Sequence, residues 1–186
     1  NQPLPQVVAG GADTHPPLYP ILLFAWLRLA GSSPLAVRFL SALIGTMTVP
    51  CVAALGYRSF GRQAGTLAGL LSAVSPILIY YSQETRMYGL VTLLAAASVY
   101  WAMRIYREPH SHRIWLAWFL TSLAAAYSHY YAFFCILAVA VIIALFLGRH
   151  RKWAALSRWL AVHLGLLLAY APWLAVQSSF LGSKAS

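Results

Sequence analysis

The stretch LAVRFLSALIGTMTVPCVAALGY, residues 35–57, decides the fold of this chain. It carries a single charged residue, Arg38, and an α-helix of this length crosses the roughly 30 Å hydrocarbon core of a bilayer. The whole chain has the same character, since 61% of its 186 residues are hydrophobic and only 9% are charged. A soluble domain carries about 25% charged residues, and a disordered chain carries few apolar ones. The composition therefore excludes both classes and predicts an all-α membrane protein.

Further apolar stretches follow this first span. The stretch 114–147 is too long for one helix, and polar and aromatic residues at 128–131 interrupt it midway, so we divide it into two spans. We predict a polytopic membrane helical bundle of about six transmembrane helices, whose other spans are residues 64–81, 88–105, the two halves of 114–147, and 159–176.

The stretch before the first span is shorter. Residues 18–29 are apolar but too few to cross a bilayer, and they contain Arg28, so we predict a helix over 18–30 that lies along the membrane surface. Gly31 and Pro34 separate this helix from the first span. The chain accordingly divides into an external loop (1–17), an interfacial helix (18–30), a six-span membrane domain (35–176) and an external tail (177–186).

The loop charges orient the spans. The chain has 13 Lys and Arg and three acids, Asp13, Glu84 and Glu108, which give a net charge of +10. The cations recur between apolar runs instead of covering one face, which is typical of cytoplasmic loops and not of a nucleic-acid site. They alternate to one side of the predicted bundle, which the positive-inside rule makes cytoplasmic: Arg58, Arg62, Arg104, Arg107, Arg113, Arg149, Arg151, Lys152 and Arg158.

Two patterns inside the spans predict packing and not chemistry. Gly61, Gly65 and Gly69 repeat every four residues, a spacing that lets helix backbones approach closely in lipid. Cys51 and Cys135 lie in apolar runs without metal-ligand spacing. We interpret them as buried free thiols and not as a disulfide.

The segment DTHPPLY, residues 13–19, places an acid, an imidazole and two rigid prolines just before the interfacial helix. The prolines restrict the backbone around His15. Two interpretations stay open: Asp13 and His15 are functional groups held in position, or they are incidental residues in a stiff helix entry.

The segment YYSQETRMY, residues 80–88, places Glu84 and Arg86 at the membrane boundary between two spans. Ionisable residues at this depth are costly, so a functional site is the first hypothesis. Arg86 suits a lipid phosphate, and Glu84 suits a base, a hydroxyl-orienting group or a metal ligand. The alternative is a local ion pair between the two side chains that closes the turn.

The segment SHYY, residues 128–131, adds an imidazole and two phenols at the same level. An aromatic belt explains the tyrosines without any function, and His129 is either a site residue or an interfacial one. Three segments that are distant in sequence thus converge on one external face. We predict the functional site there, with Asp13, His15, Glu84, Arg86 and His129 in it.

The chain resembles the bacterial membrane glycosyltransferases related to dolichyl-phosphate-mannose protein mannosyltransferases, and it is similar also to the lipid A aminoarabinose transferases. The matching strings are DTHPPLY (13–19), RFLSAL (38–43), YSQETRMY (81–88) and SHYY (128–131). The resemblance runs from Asp13 to Trp173. It implies an enzyme that transfers a sugar from a polyprenyl-phosphate carrier to an acceptor on the outer side of the bacterial cytoplasmic membrane.

The resemblance also implies roles for individual residues. Asp13 and Glu84 would be catalytic. The groups that bind the lipid phosphate or the substrate would be His15, Arg86, Tyr88, His129 and Tyr130. The resemblance implies no certain cofactor, and a divalent cation that stabilises the departing phosphate is one option.

In that family a further span and an external acidic pair precede the interfacial helix. The first span and the acidic pair would lie upstream of Asn1, and the sequence does not start with Met. We therefore expect it to be part of a longer protein and its catalytic loop to be incomplete. The alternative to an enzyme is a non-catalytic structural or accessory membrane subunit derived from such a transferase, with membrane lipids or other membrane subunits as partners. A transporter fits less well, because its polar residues should lie near the bilayer midplane.

Overall fold

The computed structural model describes residues 15–185, with side chains described to residue 179. This part of the chain is helical without any strand, which confirms the predicted all-α class. The free thiols of Cys51 and Cys135 are half-buried in two different helices. In chain order the helices are α1 (Leu18–Ala30), α2 (Pro34–Phe60), α3 (Arg62–Ala73), α4 (Pro76–Gln83), α5 (Tyr88–Arg107), α6 (His112–Ala126), α7 (Ala132–Arg149) and α8 (Trp153–Ala185).

Helix length separates the candidate spans from the other helices. Four helices are long and apolar enough to cross a membrane, namely α2, α5, α7 and α8 as far as Ser179. Helices α3 and α4 form a fifth candidate if they count as one span, although they are bent by 52° at their junction. The described residues therefore supply four or five candidate spans, where the sequence predicts about six.

The bend between α3 and α4 lies at a proline. The predicted span 64–81 is not one straight helix, because α3 ends at Ala73 and α4 begins at Pro76. Ser75 has an extended backbone, with φ −66° and ψ 118°, as expected where the proline ring clashes with a helical residue before it. The second predicted span is thus a broken helix.

Helix α6 accounts for the remaining difference in the number of spans. It has 15 residues, which at 1.5 Å per residue is about 22 Å and less than the bilayer core. Its Trp115 and Trp118 are buried against Trp159 of α8, so one face of this short helix packs against the bundle. The break between α6 and α7 lies at residues 127–131, as the aromatic interruption predicts.

The last helix is longer than predicted. Helix α8 runs from Trp153 to Ala185 and contains Pro172. The predicted span 159–176 lies inside it, and the residues predicted to form an external tail continue the same helix to Ala185.

The predicted cationic loops meet at one end of the bundle. Arg107 donates a hydrogen bond to the carbonyl oxygen of Arg58 at 2.9 Å, and Lys152 donates one to the carbonyl oxygen of Tyr106 at 2.8 Å. These bonds join the end of α2, the end of α5 and the start of α8. We call this the basic end, formed by residues 58–62, 104–113 and 149–158.

The glycine pattern marks a close contact between α2 and α3. A Cβ on Gly65 would lie 2.7 Å from Tyr57 Cβ, and one on Gly69 would lie 3.0 Å from Ala53 Cβ. Gly61 has another role, because it links the two helices with a φ of 90°, which side chains rarely allow. The predicted packing therefore holds for Gly65 and Gly69, and Gly61 forms the turn.

Candidate functional site

Helix α1 is anchored at the end of the bundle opposite the basic end. The N–H of Leu18 donates to the carbonyl oxygen of Tyr127, between α6 and α7, at 3.0 Å. Tyr19 is only 4% exposed, and its hydroxyl lies 2.7 Å from Ser41 Oγ of α2. A buried hydrogen bond of this kind is costly to break. The start of α1 is therefore fixed against two other parts of the bundle.

Aromatic rings from three segments meet beside the start of α1. The ring centroids of His15 and His129 are 5.2 Å apart, and those of Tyr88 and His129 are 5.7 Å apart. Tyr81 continues the series at 4.9 Å from Tyr88. We call these four residues the aromatic cluster. The structure thus brings His15 together with the segments 80–88 and 128–131, a convergence that the sequence predicts.

His129 is the buried centre of this cluster. Its side chain is 5% exposed, and its Nδ1 accepts a hydrogen bond from the backbone N–H of Tyr131 at 3.1 Å. Burial lowers the pKa of His129, and the nearby His15 lowers it further. The ring is therefore neutral at neutral pH, and since Nδ1 is the acceptor, the proton lies on Nε2. The Nε2–H makes no hydrogen bond with any of the described residues.

Glu84 and Arg86 form an ion pair at the end of α4. Arg86 Nε lies 3.5 Å from Glu84 Oε2, and the two side chains are 62% and 35% exposed. The backbone N–H of Arg86 also donates a hydrogen bond to the backbone carbonyl oxygen of Glu84 at 2.9 Å. An exposed pair of this kind contributes only about 0–1 kcal/mol. The ion pair that the sequence leaves open as an alternative is present, and it is weak enough for an anionic ligand to displace the carboxylate.

A groove of about 500 Å³ lies between α1 and the loop that follows α4. Its walls are apolar along α1, where Leu23, Phe24 and Leu27 face it. Polar groups are added by His15, at the start of α1, and by Arg86. The groove therefore joins an apolar channel to a cation, which is the pattern that an acyl or isoprenoid chain with an anionic head requires.

The predicted site residues do not all lie together. His15, Tyr88 and His129 lie in the aromatic cluster, and His15 also lines the groove with Arg86. Glu84 contacts Arg86 but does not line the groove. Tyr130 has its ring 6.4 Å from that of His129, and its hydroxyl is buried without a partner among the described residues. Asp13 lies outside the residues that the structure describes.

Metal ligands are not assembled in this part of the chain. Within residues 15–179, no group of three or more His, Cys, Asp and Glu side chains is placed to hold a metal ion. A divalent cation at this site stays a prediction from the resemblance.

Reasoning from the sequence missed the groove itself. Tyr19, Leu23 and Leu27 all line it, and they are spaced four residues apart along α1. This spacing places them on one face of a helix. This spacing is visible in the sequence, but it does not predict which element that face contacts.

These features define a polytopic helical membrane protein with an aromatic cluster and a largely apolar groove at one end of its bundle. Over residues 14–175 the chain matches the family described as dolichyl-phosphate-mannose-protein mannosyltransferase, and it belongs to that family. The family consists of membrane glycosyltransferases, so the resemblance drawn from the four sequence strings is confirmed. No curated protein and no solved structure matches the chain.

Proposed function

We propose that this chain binds a polyprenyl-phosphate-linked sugar in the groove beside α1 and transfers the sugar to an acceptor hydroxyl. The observation that carries the proposal is the position of Arg86, which lines the same groove as Leu23, Phe24 and Leu27. The apolar wall suits the isoprenoid chain, and the guanidinium suits the phosphate. Family membership supports a sugar carried on such a lipid.

The chemistry requires three movements. The acceptor oxygen bonds to the anomeric carbon, the bond from that carbon to the phosphate oxygen breaks, and the hydroxyl proton passes to a carboxylate. Asp13 and Glu84 are the candidates for this base. When Arg86 engages the phosphate, Glu84 is released from this ion pair and becomes available to accept a proton. Neutral His129, with its Nε2–H, is suited to orient the sugar or the phosphate.

The experiment compares carrier binding by the full chain with that by two variants. Arg86→Ala should weaken binding of a polyprenyl phosphate roughly 10–100-fold, the range for a lost charge-assisted hydrogen bond. Arg86→Lys should restore only part of it, because Lys lacks the bidentate fork. Arg38→Ala is the matched control, since Arg38 is an exposed cation near the start of α2 that does not line the groove.

The ion-pair interpretation makes the opposite prediction. If Arg86 serves only to hold Glu84, then Arg86→Ala and Glu84→Gln should lower the melting temperature equally and leave carrier binding unchanged. That result would contradict the proposed function.

A transfer assay separates an enzyme from an accessory subunit. With polyprenyl-phosphate-mannose as the donor, any sugar transfer that the protein supports should be slowed by about 10²–10⁴-fold in Glu84→Gln if Glu84 is the base. Normal carrier binding without any transfer would favour the non-catalytic membrane subunit.

We also propose that the groove faces the outer side of a bacterial cytoplasmic membrane. The basic end carries the loop cations and the groove lies at the opposite end, so the positive-inside rule supports this orientation. Cysteine labelling at Gln83 and at His150, both exposed, in a background without Cys51 and Cys135, tests it. Labelling of both positions from the same side would contradict the orientation.

A further inference from the structure

The basic end contains a second cavity, which the proposed reaction does not use. Its volume is about 500 Å³, and it lies between the loop after α5 and the first turn of α8. Four lining residues carry nitrogen-bearing basic side chains, and no acid is among the lining residues in the described part of the chain. These four are His110, Arg151, Lys152 and Arg158.

Two of these cations are held in place by an aromatic ring and a hydrogen-bonding partner each. Lys152 Nζ lies 4.3 Å from the centre of the Tyr106 ring and donates to the Tyr106 carbonyl oxygen. The Arg158 guanidinium lies 4.7 Å from the centre of the Trp115 ring, and one of its nitrogens is 2.7 Å from His112 Nδ1. Neither contact supplies a negative charge. The cations are positioned but not neutralised.

The nearby acid is already engaged. Glu108 accepts hydrogen bonds from Arg104 at 2.9 and 2.7 Å, one at each carboxylate oxygen. This contact holds the pKa of Glu108 below its usual value. Glu108 therefore pairs with a cation that lies outside the cavity. No acid lines the cavity in the described part of the chain, so its positive charge favours binding of an anionic ligand.

Arg151 has an unusual backbone for its residue type. Its φ is 52°, in the left-handed region that Gly and Asn favour and that bulkier side chains rarely adopt. It is exposed, and its side chain makes no hydrogen bond or ion pair with any of the described residues. Arg151 therefore adds to the cavity lining a cation that no described acid neutralises.

The other wall of the cavity also suits an anion at a membrane surface. Ala154 and Ala155 line it from the first turn of α8, where backbone N–H groups have no partner within the helix and the helix dipole is positive. Trp153 lines the rim and is 63% exposed, and an exposed indole at the end of a span is typical of the lipid headgroup level.

From this juxtaposition we propose that the cavity formed by Arg151, Lys152, Arg158 and the first turn of α8 binds a phosphate group at the membrane surface. Two sources share this chemistry: the headgroup of an anionic phospholipid and free inorganic phosphate. The cavity lies at the opposite end of α5 from the groove, so the inference does not depend on the proposed transfer reaction.

The experiment uses the full chain in nanodiscs and the variant Arg151→Asn, which removes the charge and keeps a residue that tolerates positive φ. In one arm, native mass spectrometry measures phosphatidylglycerol retained from discs that also contain phosphatidylcholine. In the other arm, calorimetry measures inorganic phosphate binding in discs of phosphatidylcholine alone. Arg151→Asn should weaken binding about fivefold, as expected for one cation near an anionic surface, and Arg151→Lys should retain most of it.

Arg113→Asn is the matched control, since Arg113 is an exposed cation at the same end that does not line the cavity. A loss confined to the phosphatidylglycerol arm assigns the lipid headgroup, and a loss confined to the phosphate arm assigns the free ion. An equal loss with Arg113→Asn, or no dependence on Arg151 in either arm, would overturn the proposal.

Discussion

The imidazole rings of His15 and His129 lie with their centroids 5.2 Å apart, although one ring precedes the first helix and the other lies in the turn between α6 and α7. The contact closes the end of the bundle around α1. It also places the His15 ring beside His129, where it adds to the effect of burial in lowering the pKa of His129.

The first prediction follows from the lowered pKa of His129. Because the folded state binds this proton less readily than the unfolded state, stability should be full above the ordinary His pKa of about 6.5. It should fall as the pH drops from there through the lower pKa of the folded state. Melting temperatures measured between about pH 8 and pH 5 test this, and His129→Gln should lose part of the slope.

A control for the pH experiment is His110→Gln, because His110 is exposed in the basic loop. It should keep the pH profile of the unmodified chain. An identical slope in the unmodified chain and in His129→Gln would show that burial of this ring does not set the acid sensitivity.

The second prediction concerns the anchor of α1. Tyr19→Phe removes the 2.7 Å hydrogen bond to Ser41. The buried hydroxyl of Ser41 then has no partner, which should cost about 1–3 kcal/mol in the free energy of unfolding. Tyr57→Phe should cost little, since Tyr57 is 58% exposed. Thermal unfolding in the same detergent compares the two, and equal effects would argue against the anchor.

The third prediction tests the apolar wall of the groove. Leu27→Trp should fill part of the groove and displace about two methylene groups of a bound lipid chain, which weakens long-chain lipid phosphate binding roughly tenfold. Leu22→Trp is the matched control, because Leu22 lies on the same helix, is 38% exposed and does not line the groove. Binding assays with a long-chain and a short-chain lipid phosphate should show the loss for the long chain alone.

If Leu22→Trp and Leu27→Trp weakened binding equally, the lipid chain would not follow the mapped wall of α1.

The fourth prediction concerns the contact between α2 and α3. A Cβ on Gly65 would lie 2.7 Å from Tyr57 Cβ and 2.8 Å from the Ala53 carbonyl oxygen, so Gly65→Ala should destabilise the protein by about 1–3 kcal/mol through overpacking. Gly148→Ala has nothing within 4 Å of the new Cβ and should be neutral or slightly stabilising. Their unfolding midpoints give the comparison, and a harmless Gly65→Ala would mean that the helices are not in close contact.

The sequence by itself determined the class of the fold and predicted which segments meet at the candidate site. Apolar runs as long as residues 35–57 are stable in lipid and not in water. A backbone in lipid must satisfy its hydrogen bonds internally, and a helix does this. The alternation of the loop cations predicted which helix ends lie on the same side of the bundle, because this alternation depends only on the order of the spans. The motifs at 13–19, 80–88 and 128–131 likewise pointed to one face.

Only the tertiary structure decided how these segments are used. The break at Pro76, the short α6 and the length of α8 depend on packing between helices, which periodicity does not report. The groove exists because Tyr19 and Leu18 fix α1 against α2 and the turn after α6, and such contacts join residues that no local pattern relates. Arg86 lines the groove, whereas Glu84 contacts Arg86 but does not line the groove. This difference follows from the side-chain direction just after α4. That direction is set by three-dimensional contacts and cannot be derived from spacing along the chain.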